Sequence, residues 1–103
     1  MEKLILNIRL MKHQIEMINS TIGYESEIIG ELDRMVREIK NDVQKYEVHG
    51  TLWIAVRIAI EAATIAVVAL QGSCDWRDKV GNDAVQLYKV AEAALNRYCG
   101  LDN

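Results

Sequence analysis

Apolar residues recur along the first half of the chain at alternating intervals of three and four residues, the spacing of a coiled-coil seam. The series starts at Leu4 and reaches Tyr46 over six heptads, and Glu25 is its one polar member. This pattern favours one long helix over residues 2–48. The alternative is a helical hairpin whose two arms share a phase, because residues 19–23 have the small polar side chains and the glycine of a turn.

The first arm also carries a second apolar stripe, formed by Leu6, Leu10 and Met17 together with His13. A helix that is apolar on two faces needs two neighbours. Two shorter helices cannot cover a helix about 65 Å long, so we expect a second copy of the chain to cover the N-terminal half. The predicted oligomer interface consists of the seam residues Leu4, Ile8, Met11, Ile15, Ile18 and Ile22.

Two more helices are predicted after the break at residues 49–51. The first spans residues 51–71 and repeats Ala every three or four positions, which makes a smooth face for another helix, beside a bulky stripe that includes Ile54 and Ile58. The second spans residues 75–99. We therefore predict a single all-α domain over 1–103, a three- or four-helix bundle completed by homo-oligomerisation.

The Ala-rich segment has about the length of a membrane span, since 16 of the 20 residues over 51–70 are apolar. Arg57 and Glu61 lie near its middle, where each charge costs about 2.5 to 3.5 kcal/mol in a bilayer. We therefore predict a buried core helix in which Arg57 and Glu61 form an ion pair. A membrane-active protein that uses residues 51–70 is the alternative.

The net charge bears on the class of binding partner, and the cysteine content bears on the cellular compartment. Twelve basic against fifteen acidic residues give a net charge of −3, which removes the usual electrostatic reason to expect a nucleic-acid binder. Cys74 and Cys99 fall at opposite ends of the last helix, about 35 Å apart, too far for a disulfide. Free thiols, and the lack of a secretory signal pattern in residues 1–9, predict a cytoplasmic protein.

Few residues form a pattern that implies catalysis. Glu27, Glu31 and Asp42 are the candidate ligands for Mg²⁺ in a small all-α nucleotide hydrolase, but Arg and Lys side chains beside them also explain them as a salt-bridged outer face. His13 and His49 lie far apart and outside any zinc motif. No metal or cofactor is predicted.

The remaining candidate is a small patch at the start of the last helix, where Trp76 and Arg77 are predicted to contact a partner. Together these features favour a non-enzymatic, protein-binding module. We expect a small acidic adaptor, or an inhibitor or immunity-type protein of bacterial or phage origin. It would act as a homo-oligomer on a protein partner, with the hydrolase and the membrane-active protein as alternatives.

Overall fold

The chain folds into four helices and nothing else over the residues that the computed structural model describes, which are 1–20 and 22–101 without the side chain of Cys74. The all-α prediction is confirmed. The first two helices form the helical hairpin, so the single long helix favoured by the heptad pattern is wrong. The elements are α1 Glu2–Glu16, α2 Glu25–Lys45, α3 Gly50–Leu70 and α4 Cys74–Tyr98.

The turn between α1 and α2 ends at Gly23, whose φ of 90° is costly for residues with a side chain. Its backbone N–H donates a hydrogen bond of 2.9 Å to Oε2 of Glu25, the first residue of α2. A helix cannot continue through this conformation. The heptad phase nevertheless persists on both sides, because both arms point their seam towards the same core.

That shared seam corrects the predicted oligomer interface. Five of its six residues are at most 1% exposed within one chain, because α2 folds back beside α1 and the other two helices complete the enclosure. The sixth, Ile22, is 86% exposed and belongs to the turn. The five buried residues are therefore inaccessible to a second copy in this fold, namely Leu4, Ile8, Met11, Ile15 and Ile18.

The closest helix pair is α3 with α4. Small side chains let the two axes approach, and the repeated alanines of α3 are fully buried at positions 55, 59, 62, 66 and 69. Ser73 caps α4 by accepting a hydrogen bond of 3.4 Å from the backbone N–H of Trp76. From there α4 runs without a break through Gly81, where the helix passes close to Ile18 of the α1–α2 turn.

The four helices make a flat body that measures 39 by 29 by 15 Å. Both α1 and α3 pack against all three other helices, whereas the backbones of α2 and α4 do not come together. It follows that α2 and α4 lie at the two edges. The outer side of α1 is therefore the centre of one broad face, and the outer side of α3 is the centre of the other.

Polar contacts fix α1 between its neighbours. The hydroxyl of the buried Tyr88 in α4 donates a hydrogen bond to the backbone carbonyl oxygen of Ile8. Burial raises the pKa of Tyr88, so the phenol stays protonated and remains a donor. On the other side, Asn7 donates a hydrogen bond of 3.0 Å to Glu38 of α2.

The first prediction concerns the buried alanine face. Ala62→Leu adds three carbons at a site with no exposed area, so we expect a loss of about 1–3 kcal/mol in the free energy of unfolding. The control is Ala93→Leu at an exposed position of α4, which we expect to change stability by less than about 0.5 kcal/mol. Denaturant unfolding measures both, and equal stabilities would mean that the alanine face is loosely packed.

The second prediction concerns the close approach at Gly81. A Cβ added there would lie 2.9 Å from Cγ2 of Ile18, whereas a Cβ at Gly30, also inside a helix, meets nothing within 4 Å. Gly30→Ala should stabilise the chain by about 0.5–1 kcal/mol. The free energy of unfolding of the Gly81→Ala variant should be lower than that of Gly30→Ala by about 1–3 kcal/mol, because the added methyl group clashes with Ile18. Thermal unfolding of the two variants tests this, and an equal gain would contradict it.

Candidate interaction surface

The outer side of α3 exposes several large apolar side chains. Because α3 turns its small residues inward to α4, its bulky ones remain at the surface. Trp53 is 39% exposed, Ile54 50% and Val68 44%, while Ile58 and Ile65 are half-buried. We call this surface the α3 strip: Trp53, Ile54, Arg57, Ile58, Glu61, Ile65 and Val68.

Arg57 and Glu61 lie in the middle of the α3 strip, and the predicted core ion pair is therefore wrong. Both side chains are exposed. Neither makes an ion pair or a side-chain hydrogen bond with another residue in the described ranges. The physical reason is the alanine face, which occupies the buried side of α3 and leaves the polar positions opposite it.

An apolar groove between α2 and α3 extends the α3 strip towards one edge of the molecule. It contains two cavities, of about 290 and 260 Å³, and Lys40 of α2 lines both. Trp53 of α3 lines the larger one, opposite Lys40 and Gln44 of α2. Its walls are otherwise mostly aliphatic, with Val43, Val56 and Ile60 in the larger cavity and Leu32, Val36, Ala63, Val67 and Val68 in the smaller one.

The two residues of the predicted partner contact at the start of α4, Trp76 and Arg77, have different surroundings. Trp76 is 47% exposed, and its ring lies against Gly72, where an added Cβ would overlap it. The side chain of Arg77 is only 14% exposed, and its Nη1 lies 3.2 Å from Oε1 of Glu25. Trp76 therefore remains accessible, whereas Arg77 fastens the start of α4 to the start of α2.

Glu25 is the acidic partner in this contact. The hydrogen bond from its own backbone N–H holds the pKa of Glu25 below its usual value, and Arg77 and the N–H of Gly23 act in the same direction. This explains the single polar residue in the heptad series. It lies at the first turn of α2, where a carboxylate is favoured by the free N–H groups.

The three carboxylates proposed for a magnesium site do not come together. A cleft of about 430 Å³ at the α1–α2 hairpin is lined by Glu27, Glu31 and His13 among others, but Asp42 is buried near the other end of α2. Glu31 is 2.9 Å from Nη2 of Arg34, and this hydrogen bond lowers the pKa of Glu31. Over the described residues, no group of three His, Cys, Asp or Glu side chains is arranged to hold a metal ion.

Comparison of the chain with protein-family models, with curated proteins and with solved structures gave no match. The interpretation of the α3 strip therefore depends on its own residues.

One described helix, α3, is long and apolar enough to cross a membrane by length and composition. In its apolar stretch of 18 residues, 44% are buried inside the chain. The core helix of a soluble protein passes the same test of length and composition. Whether α3 is a core helix or a membrane span, part of it is not covered by the other helices.

Part of this surface is visible in the sequence, which shows the bulky stripe with Ile54 and Ile58 and also Arg57 and Glu61. The apolar content of the segment predicts a core helix, whereas this side of α3 is exposed. The groove with Lys40 and Trp53 was missed, because no periodicity shows how loosely α2 lies against α3. The usable signal was Arg57 and Glu61 themselves, since two charges one turn apart mark the solvent side of a helix.

The third prediction concerns acid sensitivity. Because the pKa of Glu25 in the fold lies below its usual value of 4.5, its charge stabilises the fold above that pH. The contribution is lost as the pH falls through the lower folded-state pKa. Glu25→Gln should therefore be less stable than the wild type at neutral pH, and the difference should shrink below about pH 4.

The matched control for this prediction is Glu27→Gln, which removes an exposed carboxylate from the same turn of α2. Urea unfolding at several pH values measures the difference for each variant. We expect a smaller difference for the Glu27→Gln variant, because the ion pair with Arg77 is made by Glu25. A Glu25→Gln difference that stays constant from neutral to acid pH would contradict the role given to its charge.

Proposed function

We propose that the chain is a non-enzymatic, protein-binding module that works as a homo-oligomer. The observation that supports this proposal is the α3 strip, a set of large apolar side chains held at the centre of a broad, flat face. Contiguous exposed apolar surface of this kind is typical of protein–protein contacts. Aromatic side chains such as Trp53 are enriched at the energetic centres of such contacts.

The size of the chain supports the same proposal. A domain of about 100 residues buries somewhat over 60% of its unfolded surface, so its margin of stability is small. Covering part of α3 with a second protein surface removes apolar area from water at about 25 cal/mol per Å². Association would therefore bury apolar surface that the four helices of one thin chain leave exposed, and it would stabilise the fold.

Within this proposal, an acidic adaptor or an inhibitor of another protein is the role that the surface suits. The net charge is −3, and the exposed Trp76 offers a second contact point at the start of α4. The other broad face, with Leu6 54% and Leu10 45% exposed, is also partly apolar. A module with two usable faces can hold a copy of itself on one and a different protein on the other.

The fourth prediction tests the oligomer. Size-exclusion chromatography with light scattering, in buffer without detergent, should give a discrete mass of two or more chains. Ile54→Lys places a charge at the apolar residue of the α3 strip that is 50% exposed, and it should shift the mass towards one chain without lowering helicity. Leu10→Lys, at a similarly exposed site on the opposite face, is the control and should keep the oligomer. A wild type that is monomeric at all concentrations would contradict the proposal.

A membrane-active protein is the second candidate, because α3 is long and apolar enough for a span. Flotation with phosphatidylcholine vesicles separates the two. Our proposal expects the protein to stay with the buffer fraction as an oligomer. Recovery with the vesicles, reduced by Ile54→Lys and unaffected by Leu10→Lys, would favour the membrane instead.

A further inference from the structure

We propose that a second copy of this chain occupies the α3 strip, with the two α3 helices antiparallel about a two-fold axis. In this arrangement Arg57 of each copy pairs with Glu61 of the other. The inference rests on the proposed function, since it specifies which face of the module self-associates and in what register. Its basis is the order of charged and apolar residues along the exposed side of α3.

The charges come first. Arg57 and Glu61 are one helical turn apart, both exposed, and neither is paired with another described residue. In a two-fold interface, if residue i of one copy meets residue j of the other, then j also meets i. An axis passing level with Ala59 therefore brings both Arg57–Glu61 pairs into register at once. A parallel pairing would place Arg57 opposite Arg57.

The apolar residues fit the same axis. In this register Trp53 of one copy lies level with Ile65 of the other, and Ile54 lies level with Thr64. Ile58 lies next to the axis, level with Ile60. Apolar residues therefore lie level with apolar residues on both sides of the two charge pairs. The exception is Thr64, whose hydroxyl donates a hydrogen bond of 2.9 Å to the carbonyl of Ile60 in its own helix.

The face is large enough for a stable contact. The broad faces of the body extend 39 by 29 Å, and a standard interface buries about 800 Å² per partner. With 21 residues α3 is about 31 Å long, so paired helices run along most of the face. The groove beside α3, where Val43 and Lys40 stand next to Trp53, widens the surface that a second copy covers.

The opposite face offers a weaker match to a second copy. Leu6 and Leu10 make it partly apolar, and two of the basic residues of α1 are engaged within the chain. Lys12 lies 3.3 Å from Glu92, and Arg9 donates a hydrogen bond of 3.1 Å to Asn96. On the α3 face, Arg57 and Glu61 have no ion-pair partner among the described residues. They lie two residues before and two residues after Ala59, which favours self-association through this face.

The test exchanges the charges. Arg57→Glu gives a chain with two acidic groups on the α3 strip, and Glu61→Arg gives one with two basic groups. Each variant alone should dimerise at least about tenfold more weakly than the wild type, because like charges then face each other. An equimolar mixture of the two should form a heterodimer, since both opposite-charge pairs are restored. Native mass spectrometry distinguishes it when one chain carries a tag.

Two controls complete the experiment. Lys89→Glu makes the same change of net charge as Arg57→Glu at an exposed site on α4, and it should dimerise like the wild type. The double variant with Arg57→Glu and Glu61→Arg should dimerise with itself and exclude wild-type chains. Circular dichroism establishes that the single variants stay folded, as expected for exposed positions.

The outcomes separate this inference from the proposed function. Single variants that dimerise like the wild type, or a mixture that stays monomeric, would overturn the antiparallel register. If Ile54→Lys still dissociates the oligomer in that case, the protein-binding role of the α3 strip stands without it. A wild type that is monomeric at all concentrations would overturn both.

Discussion

The close approach of α3 to α4 is the constraint on which the rest of the structure depends. Alanines at every third or fourth position of α3 let the two helix axes come together, and α4 then lies near enough for Tyr88 to reach the backbone of α1. The inward-facing alanines also determine which residues of α3 remain exposed to solvent. A helix that turns its alanines inward has to place its large apolar residues elsewhere, and in α3 they lie on the solvent side.

The body is thin for the same reason. Four helices that enclosed a round core would hide most of α3, but here α2 contacts it loosely and leaves a groove lined by Val36 and Val43. The sequence supplies the apolar residues of the α3 strip, and the packing of the helices leaves them exposed. Arg57 and Glu61 place two exposed charges of opposite sign in the middle of this strip.

Much of the fold follows from the sequence alone. The break at residues 49–51 and the apolar spacing after it locate α3 and α4 to within a few residues, because both signals are local. The heptad series, in contrast, favours one long helix where the structure has α1 and α2. The site was harder to predict, because burial is decided by contacts between distant segments. The seam from Leu4 to Ile18 has the same periodicity whether a second chain or α2 covers it, and only the turn at Gly23 decides between them. For Arg57 and Glu61, the i to i+4 spacing was read as a pair, although their exposure depends on which side of α3 meets α4.

The placement of α1 and α3 on opposite broad faces has a consequence for valency. In the dimer proposed above, two copies joined through their α3 helices would leave both α1 faces uncovered and directed away from each other. Such an assembly presents two identical docking surfaces at a fixed separation. A target that carries two matching sites would then be held by both, and the second contact forms at a high effective concentration. A thin helical body is well suited to this, because it brings the two outward surfaces close together with little intervening protein.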